Sequence, residues 1–239
     1  MNYYFVTGSS RGIGKAIVDL LLEDSNNYVF GLSRTESKKR KNFKYIKIDF
    51  VLPFQVNNFV FPKLIEPESI HLINNAGVLG QVKQLGRLKS EEIIKTYNIN
   101  IISPAILCNS FINTYKDFEG KKVIINVSSG AARHAIESWS AYCSSKSALD
   151  MFSQVVWEEQ ANFVKNPVKI YSVAPGIVET VMQEEIRKLN KEDFRKVNTF
   201  ISYKTNNQLL EPRDSAKKIL YVINNTSAFD SPILDVRNF

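Results

Sequence analysis

A glycine-rich turn, Thr7-Gly8-Ser9-Ser10-Arg11-Gly12-Ile13-Gly14, stands between an apolar run at Tyr3–Val6 and an amphipathic stretch at Gly12–Leu22. Few folds use such a turn in that place. Its glycines let the backbone reverse sharply and approach another group closely. The helix that follows offers unpaired N–H groups and the positive end of its dipole. Strand, tight turn and helix N-terminus, in that order, open a parallel α/β sheet built to receive phosphates. The spacing is Gly-x-x-x-Gly-x-Gly, not the commoner Gly-x-Gly-x-x-Gly.

The alternation continues along the chain. Strands are expected at Tyr28–Leu32, Tyr45–Ile48, Ile70–Ile73, Val123–Val127, Val168–Val173 and Ile233–Val236, and helices at Ser90–Tyr115, Ser140–Phe163 and Asp214–Asn224. Strands apolar on both faces and separated by helices indicate a parallel sheet covered on both sides. No repeat or low-complexity linker divides the 239 residues, a length that suits one large core. The expected fold is a single α/β domain over 1–239, a doubly wound Rossmann sheet of about seven parallel strands.

Chemistry enters with Ser128-Ser129 and Tyr142-Cys143-Ser144-Ser145-Lys146. A tyrosine and a lysine four residues apart share one helix face. A free phenol, with a pKa of about 10, is a poor acid–base group at neutral pH. A fixed cation beside it favours the phenolate, so Lys146 is expected to lower Tyr142. Cofactor choice is read at the end of the second strand. An NAD site places an acid there; this chain has Ser33-Arg34, with Arg11 in the turn nearby. Two guanidinium groups suit a ribose 2′-phosphate, which points to NADP(H).

Taken in order, Thr7-Gly8-x-x-x-Gly12-Ile13-Gly14, Asp49, Asn74-Asn75-Ala76-Gly77, Asn100, Ser129, Tyr142-x-x-x-Lys146 and Pro175-Gly176-x-x-x-Thr180 resemble the classical short-chain dehydrogenase/reductase family over essentially the whole chain. The resemblance implies a catalytic tetrad of Asn100, Ser129, Tyr142 and Lys146, with Asn100 bending its helix and holding a proton-relay water. Ser129 is chosen over Ser128 because the family's serine lies thirteen positions before its tyrosine. The resemblance further implies that Gly8, Ser10, Arg11, Gly12, Ile13, Gly14 and Arg34 receive the phosphates. Asp49 would bind the adenine, and Asn75, Ala76 and Gly77 would line the cofactor. Pro175, Gly176, Ile177 and Thr180 would hold the carboxamide, and Tyr142 and Lys146 would also touch the ribose side. Ile125–Ala131, Trp139–Cys143 and Met151–Gln154 look like the benzil reductase branch, itself similar to sepiapterin reductases. The implied reaction is NADPH-dependent reduction of a small ketone or vicinal diketone. A pterin reductase and a 3-oxoacyl thioester reductase are the alternatives among enzymes. An NADP(H)-sensing regulator is the alternative outside them, although a sensor has no need of Ser129 or Tyr142.

The remaining features bound the partners. The formal charge is +7, but the lysines are scattered apart from Lys38-Lys39-Arg40-Lys41 and accompany no nucleic-acid motif, so no nucleic-acid partner is expected. No apolar run is long enough to cross a bilayer, and no membrane partner is expected. The first strand begins at Tyr3, which leads us to expect no leader peptide. With only Cys108 and Cys143, no metal cluster and no disulfide framework, the expected setting is the cytoplasm. Helices Ser90–Tyr115 and Ser140–Phe163 are expected to assemble a homodimer or homotetramer, as in the family. Val78, Leu79 and Arg133–Trp139 are candidate pocket walls, and 181–211 a candidate substrate lid. Trp139 either stacks on an aromatic substrate or packs the helix start. Asp235 either anchors a pterin edge or pairs with Arg237 or a nearby lysine.

Overall fold

The computed structural model describes residues 1–36 and 38–239. Seven parallel strands form one sheet: β1 (Asn2–Thr7), β2 (Asn27–Ser33), β3 (Phe43–Lys47), β4 (Ser69–Asn74), β5 (Lys121–Val127), β6 (Lys169–Ala174) and β7 (Ile233–Asp235), in spatial order β3-β2-β1-β4-β5-β6-β7. β1, β2, β4, β5 and β6 are mainly β-branched, aromatic and long apolar side chains because they are covered on both faces, whereas β3 lies at the sheet edge and exposes Lys44 and Lys47. The helices are α1 (Gly12–Leu21), α2 (Pro53–Asn57), α3 (Ser90–Tyr97), α4 (Ser103–Thr114), α5 (Ser140–Phe163), α6 (Val181–Arg187), α7 (Val197–Thr205) and α8 (Pro212–Asn224).

Period-two alternation sorts the strand side chains into two cores. On one face Tyr3, Phe5, Leu72, Ile124 and Ile170 pack against Leu107, Cys108 and Phe111 of α4 and Val156 of α5. On the other face Tyr4, Val6, Ile73, Ile125 and Val173 pack against Ile17 and Leu21 of α1 and Ile219 and Val222 of α8. The chain runs outward from β1 to β2 and β3, then crosses back to lay β4 on the other side of β1. β1 and β4 therefore flank the switch point, where connections diverge and leave a crevice beyond the carboxyl ends of the strands.

Two expectations are refined. The helix expected over Ser90–Tyr115 is interrupted by a π-helical turn at Asn98–Ile102, which separates α3 from α4. This is the local bend expected at Asn100. The stretch 181–211, expected as one charged lid, contains α6 and α7 and is tied down by a bridge between Val178 and Leu210.

Candidate active site

The crevice at the switch point is a cleft of about 770 Å³, lined by Gly8, Ser10, Arg11, Gly12, Ile13, Arg34 and Asp49, by Asn75, Ala76 and Gly77, and by Ser129, Tyr142, Lys146, Pro175, Gly176, Ile177 and Thr180, the last of which reaches back to within 3.5 Å of where a Cβ on Gly12 would stand. Of the expected residues, Asn100 and Gly14 lie behind this surface. Gly14 is required by close packing: a Cβ there would stand 2.2 Å from the Gly8 carbonyl oxygen. Gly8 (φ +65°) and Gly12 (φ +54°) take left-handed backbone that suits glycine. α1 starts without a side-chain cap and without an acid in its first turn. Its first N–H groups and dipole are thus left for an anion.

The turn is held from β4 by two residues. The Thr7 hydroxyl accepts from the backbone N–H of both Asn75 and Ala76, each at 2.9 Å. The Asn75 amide donates to the carbonyls of Thr7 (3.0 Å) and Gly8 (3.3 Å). Asn75 is therefore chiefly a strut between the ends of β1 and β4. At the far end of the cradle, Tyr45 donates to the carbonyls of Ser33 and Arg34, both at 3.1 Å, fixing the backbone from which the Arg34 side chain departs. Arg11 and Arg34 are exposed, and neither is in an ion pair among the described residues.

The reactive groups converge from α5, the end of β5 and the π-turn. Along α5, Tyr142, Lys146 and Asp150 lie on one buried stripe because they are spaced by four. Burial pushes the Tyr142 phenol above its ordinary value, opposed by a hydrogen bond from Ser129. Burial pushes the Lys146 ammonium down to about 8, with the Asp150 carboxylate opposing the shift. The phenol thus stands high, where the sequence reading had Lys146 bringing it down. The physical reason is that the phenol's own burial outweighs the Ser129 hydrogen bond, while Lys146 donates at 2.7 Å to the Val127 carbonyl.

Asn100 is fully buried. Its amide donates to the Val78 carbonyl (2.9 Å) and the Ser145 hydroxyl (3.0 Å), and its oxygen accepts from Val78 N–H (3.0 Å). Both amide hydrogens are in use, so the side chain pins the chain after β4. A Cβ on Gly77 would lie 3.5 Å from Lys146 Nζ and 3.6 Å from Asn100 Oδ1, which shows how closely the three approach.

Asp150 had no place in the sequence reading. One carboxylate oxygen accepts from the hydroxyls of Ser128 (2.5 Å) and Ser172 (2.6 Å), and the other from Arg133 Nε (3.1 Å). Arg133 in turn donates to the Leu234 carbonyl at 3.2 Å. One buried acid thereby ties the ends of β5, β6 and β7 to α5 directly beneath Ser129. Of the two adjacent serines, Ser128 faces this network and Ser129 faces the cleft.

The segment after Thr180 covers the other side of the cleft through aromatic packing. Trp139 stacks on Phe194 (centroids 5.4 Å, planes 18° apart) and meets Tyr142 edge-on at 5.5 Å and Phe200 at 5.4 Å. It packs the start of α5 against α7 and also lines the cleft. Glu179 is held by Arg187 (2.7 Å) and Lys204 (3.0 Å), joining α6 and α7. Asp235 takes the ion-pair alternative: Arg237 donates to it from Nε (2.9 Å) and Nη2 (2.6 Å).

A doubly wound parallel sheet with a glycine-lined cleft at its switch point defines the class of α/β dinucleotide-fold proteins. Within that class the chain belongs to the short-chain dehydrogenase family, whose model matches residues 2–191. It is 37% identical over 235 residues to a benzil reductase ((S)-benzoin forming) of Bacillus cereus, with 92% of each chain covered. It is 32% identical over 245 residues to a protein of the same description from Bacillus subtilis, with 100% of each covered. A solved short-chain dehydrogenase/reductase of Saccharomyces cerevisiae superposes with a TM-score of 0.85 at 30% identity, covering 99% of this chain and 96% of that one. The protein is accordingly an oxidoreductase of this family, whose cofactor is a nicotinamide dinucleotide. No helix among the described residues is long and apolar enough to cross a membrane.

Proposed function

We propose that the protein is an NADPH-dependent carbonyl reductase acting on a small ketone or vicinal diketone of the benzil type. The observation that carries the reading is the meeting of Ser129, Tyr142 and Lys146 in the cleft that the glycine cradle also lines. The residues present fit the cofactor. The uncapped start of α1 and the left-handed Gly8 and Gly12 suit a pyrophosphate. Arg11 and Arg34, exposed at the same end, suit a 2′-phosphate, and Asp49 a neighbouring adenine. Pro175, Gly176, Ile177 and Thr180 border the nicotinamide end.

The bound dinucleotide supplies a hydride to the carbonyl carbon. The chain's own groups manage the oxygen. The Tyr142 phenol, kept neutral at pH 7 by burial, holds the proton that the oxygen takes as it becomes negative. The Ser129 hydroxyl donates to the same oxygen and orients it. The Lys146 ammonium, fixed by the Val127 carbonyl, stabilises the phenolate left after proton transfer. Asn100 holds the chain after β4 against α5, and the segment 181–211 acts as a lid that excludes water. Assembly through α4 and α5 forms part of the reading. It is supported by the outward face of α5, where Met151, Val155 and Phe163 are exposed.

The test is a carbonyl panel of benzil, simple diketones, sepiapterin and an acetoacetyl thioester, followed by NADPH absorbance. Benzil turnover that falls about 10²- to 10⁴-fold in Tyr142→Phe, with NADPH binding retained, is the expected result. Sepiapterin or the thioester as the preferred substrate would replace the diketone reading. No turnover of any carbonyl would favour a cofactor-sensing role.

A further inference from the structure

The β7 edge of the cleft shows which kind of substrate polarity the site recognises. The sequence leaves Asp235 there with two alternatives, a ligand edge rich in N–H donors or an ion pair with Arg237 or a nearby lysine. The structure takes the second. Asp235 is buried and caps the short turn Val236–Asn238, accepting from Arg237 N–H at 3.0 Å. The Arg237 side chain then folds back and takes both carboxylate oxygens, Nε at 2.9 Å and Nη2 at 2.6 Å. These hydrogen bonds from Arg237 hold the carboxyl well below the usual range. Little acceptor capacity is left for a ligand.

Arg237 itself is in a different position. Its side chain is 57% exposed and lines the cleft, whereas that of Asp235 is 8% exposed. Its Nη2 comes within 3.8 Å of where a Cβ on Gly130 would stand, and Gly130 directly follows Ser129. The guanidinium thus lies beside the backbone that carries Ser129. A guanidinium has more N–H groups than the pair with Asp235 consumes, and the pair fixes the plane in which the rest are presented. Ile136, Trp139, Met182 and Phe200 give the same cleft an apolar wall.

Building on the diketone reading, we propose that Arg237, locked by Asp235, is a specificity-determining residue that donates to the second oxygen of a vicinal dicarbonyl while Ser129 and Tyr142 hold the oxygen being reduced. The edge offers donors, so it selects an acceptor-rich diketone over a pterin, whose guanidine-like edge is itself a donor.

Benzil and deoxybenzoin share a carbon skeleton and differ in the second oxygen, so their ratio of kcat/KM isolates this contact. Arg237→Met is expected to lower the ratio about 10- to 100-fold, the range of a lost charge-assisted hydrogen bond. The double variant Asp235→Asn, Arg237→Met, which leaves no buried unpaired carboxylate, is expected to give the same ratio and decides the matter if the single variant does not fold. A ratio unchanged from the parent in a folded variant overturns the proposal while the reductase reading stands. A parent that reduces neither ketone, seen before any variant is made, removes the diketone reading and this inference with it.

Discussion

Lys146 makes the active site expensive to fold, and the size of that cost can be worked out. Burial brings its ammonium from the ordinary lysine value of 10.5 to about 8. A gap of that size between folded and unfolded chains corresponds to roughly 3 kcal/mol against folding at neutral pH. Replacing Lys146 by Met keeps most of the volume and removes the charge. It also takes the donor from the Val127 carbonyl, a loss of about 1 kcal/mol. The net expectation at pH 7, without cofactor, is that Lys146→Met is inactive yet more stable by about 2 kcal/mol, or about 4–8 °C in Tm for a chain of this size. The sign reverses with pH. Between pH 8 and 10.5 the unfolded chain keeps the lysine proton while the folded chain releases it, so the parent gains stability as pH rises through that window. The variant lacks this term, and its advantage should vanish by pH 10.5. Urea unfolding of both proteins at several pH values measures the difference directly, because the titrations of groups away from Lys146 are common to the two. A variant less stable than the parent at pH 7, or a difference flat with pH, would refute the argument.

Three further outcomes are expected. Arg34→Ala should raise the KM for NADPH by about tenfold or more and barely change that for NADH, since a charge-assisted hydrogen bond is worth about 1.5–3 kcal/mol; comparing the two cofactors by steady-state kinetics checks this. Asp150→Ala should destabilise the protein by about 3 kcal/mol, because it leaves two buried hydroxyls without an acceptor and Arg133 without its partner, and thermal unfolding reads the loss. Burial pushes Glu179 up, but the hydrogen bonds from Arg187 and Lys204 outweigh it and hold the carboxyl below its ordinary 4.5. The tie between α6 and α7 is therefore complete above that value and lost as pH falls through the lowered one; protease cleavage within 181–211 should rise in acid for the parent and be high at both pH values in Glu179→Gln.

Much of this site can be read from the chain because its parts are local. The turn from Gly8 to Gly14 and the four-residue spacing of Tyr142 and Lys146 each declare a geometry within a few residues. The family resemblance built on them is borne out by the family model and the relatives. The seven-strand parallel sheet is legible for a similar reason, since strands covered on both faces are continuous apolar runs. What escapes is set by contacts between distant residues of ordinary type. Asp150 meets Ser128, Ser172 and Arg133, none of which signals its partner. The phenol's upward shift depends on how deeply Tyr142 is enclosed, and no spacing reports that. For Asp235 the pair with Arg237 is one of the two alternatives, and the turn at Val236–Asn238 that brings the guanidinium back onto it decides between them. Trp139 packs the helix start, one of the two readings weighed for it, and it also lines the cleft.

The π-turn at Asn98–Ile102 has a bearing on how far this site can drift. One extra residue in a helix rotates everything after it by roughly 100°. α3 and α4 are therefore out of phase: α3 turns Ile94 to solvent, while α4 turns Leu107, Cys108 and Phe111 into the sheet. Deleting any one residue between Asn98 and Ile102 would let a regular helix run straight through. It would also swing Phe111 off the core and carry the Asn100 amide away from Val78 and Ser145. The helix cannot be made more regular without uncovering the sheet. A locally imperfect helix is thus protected by the hydrophobic stripe downstream of it, and selection on stability alone would keep Asn100 in register with the cleft.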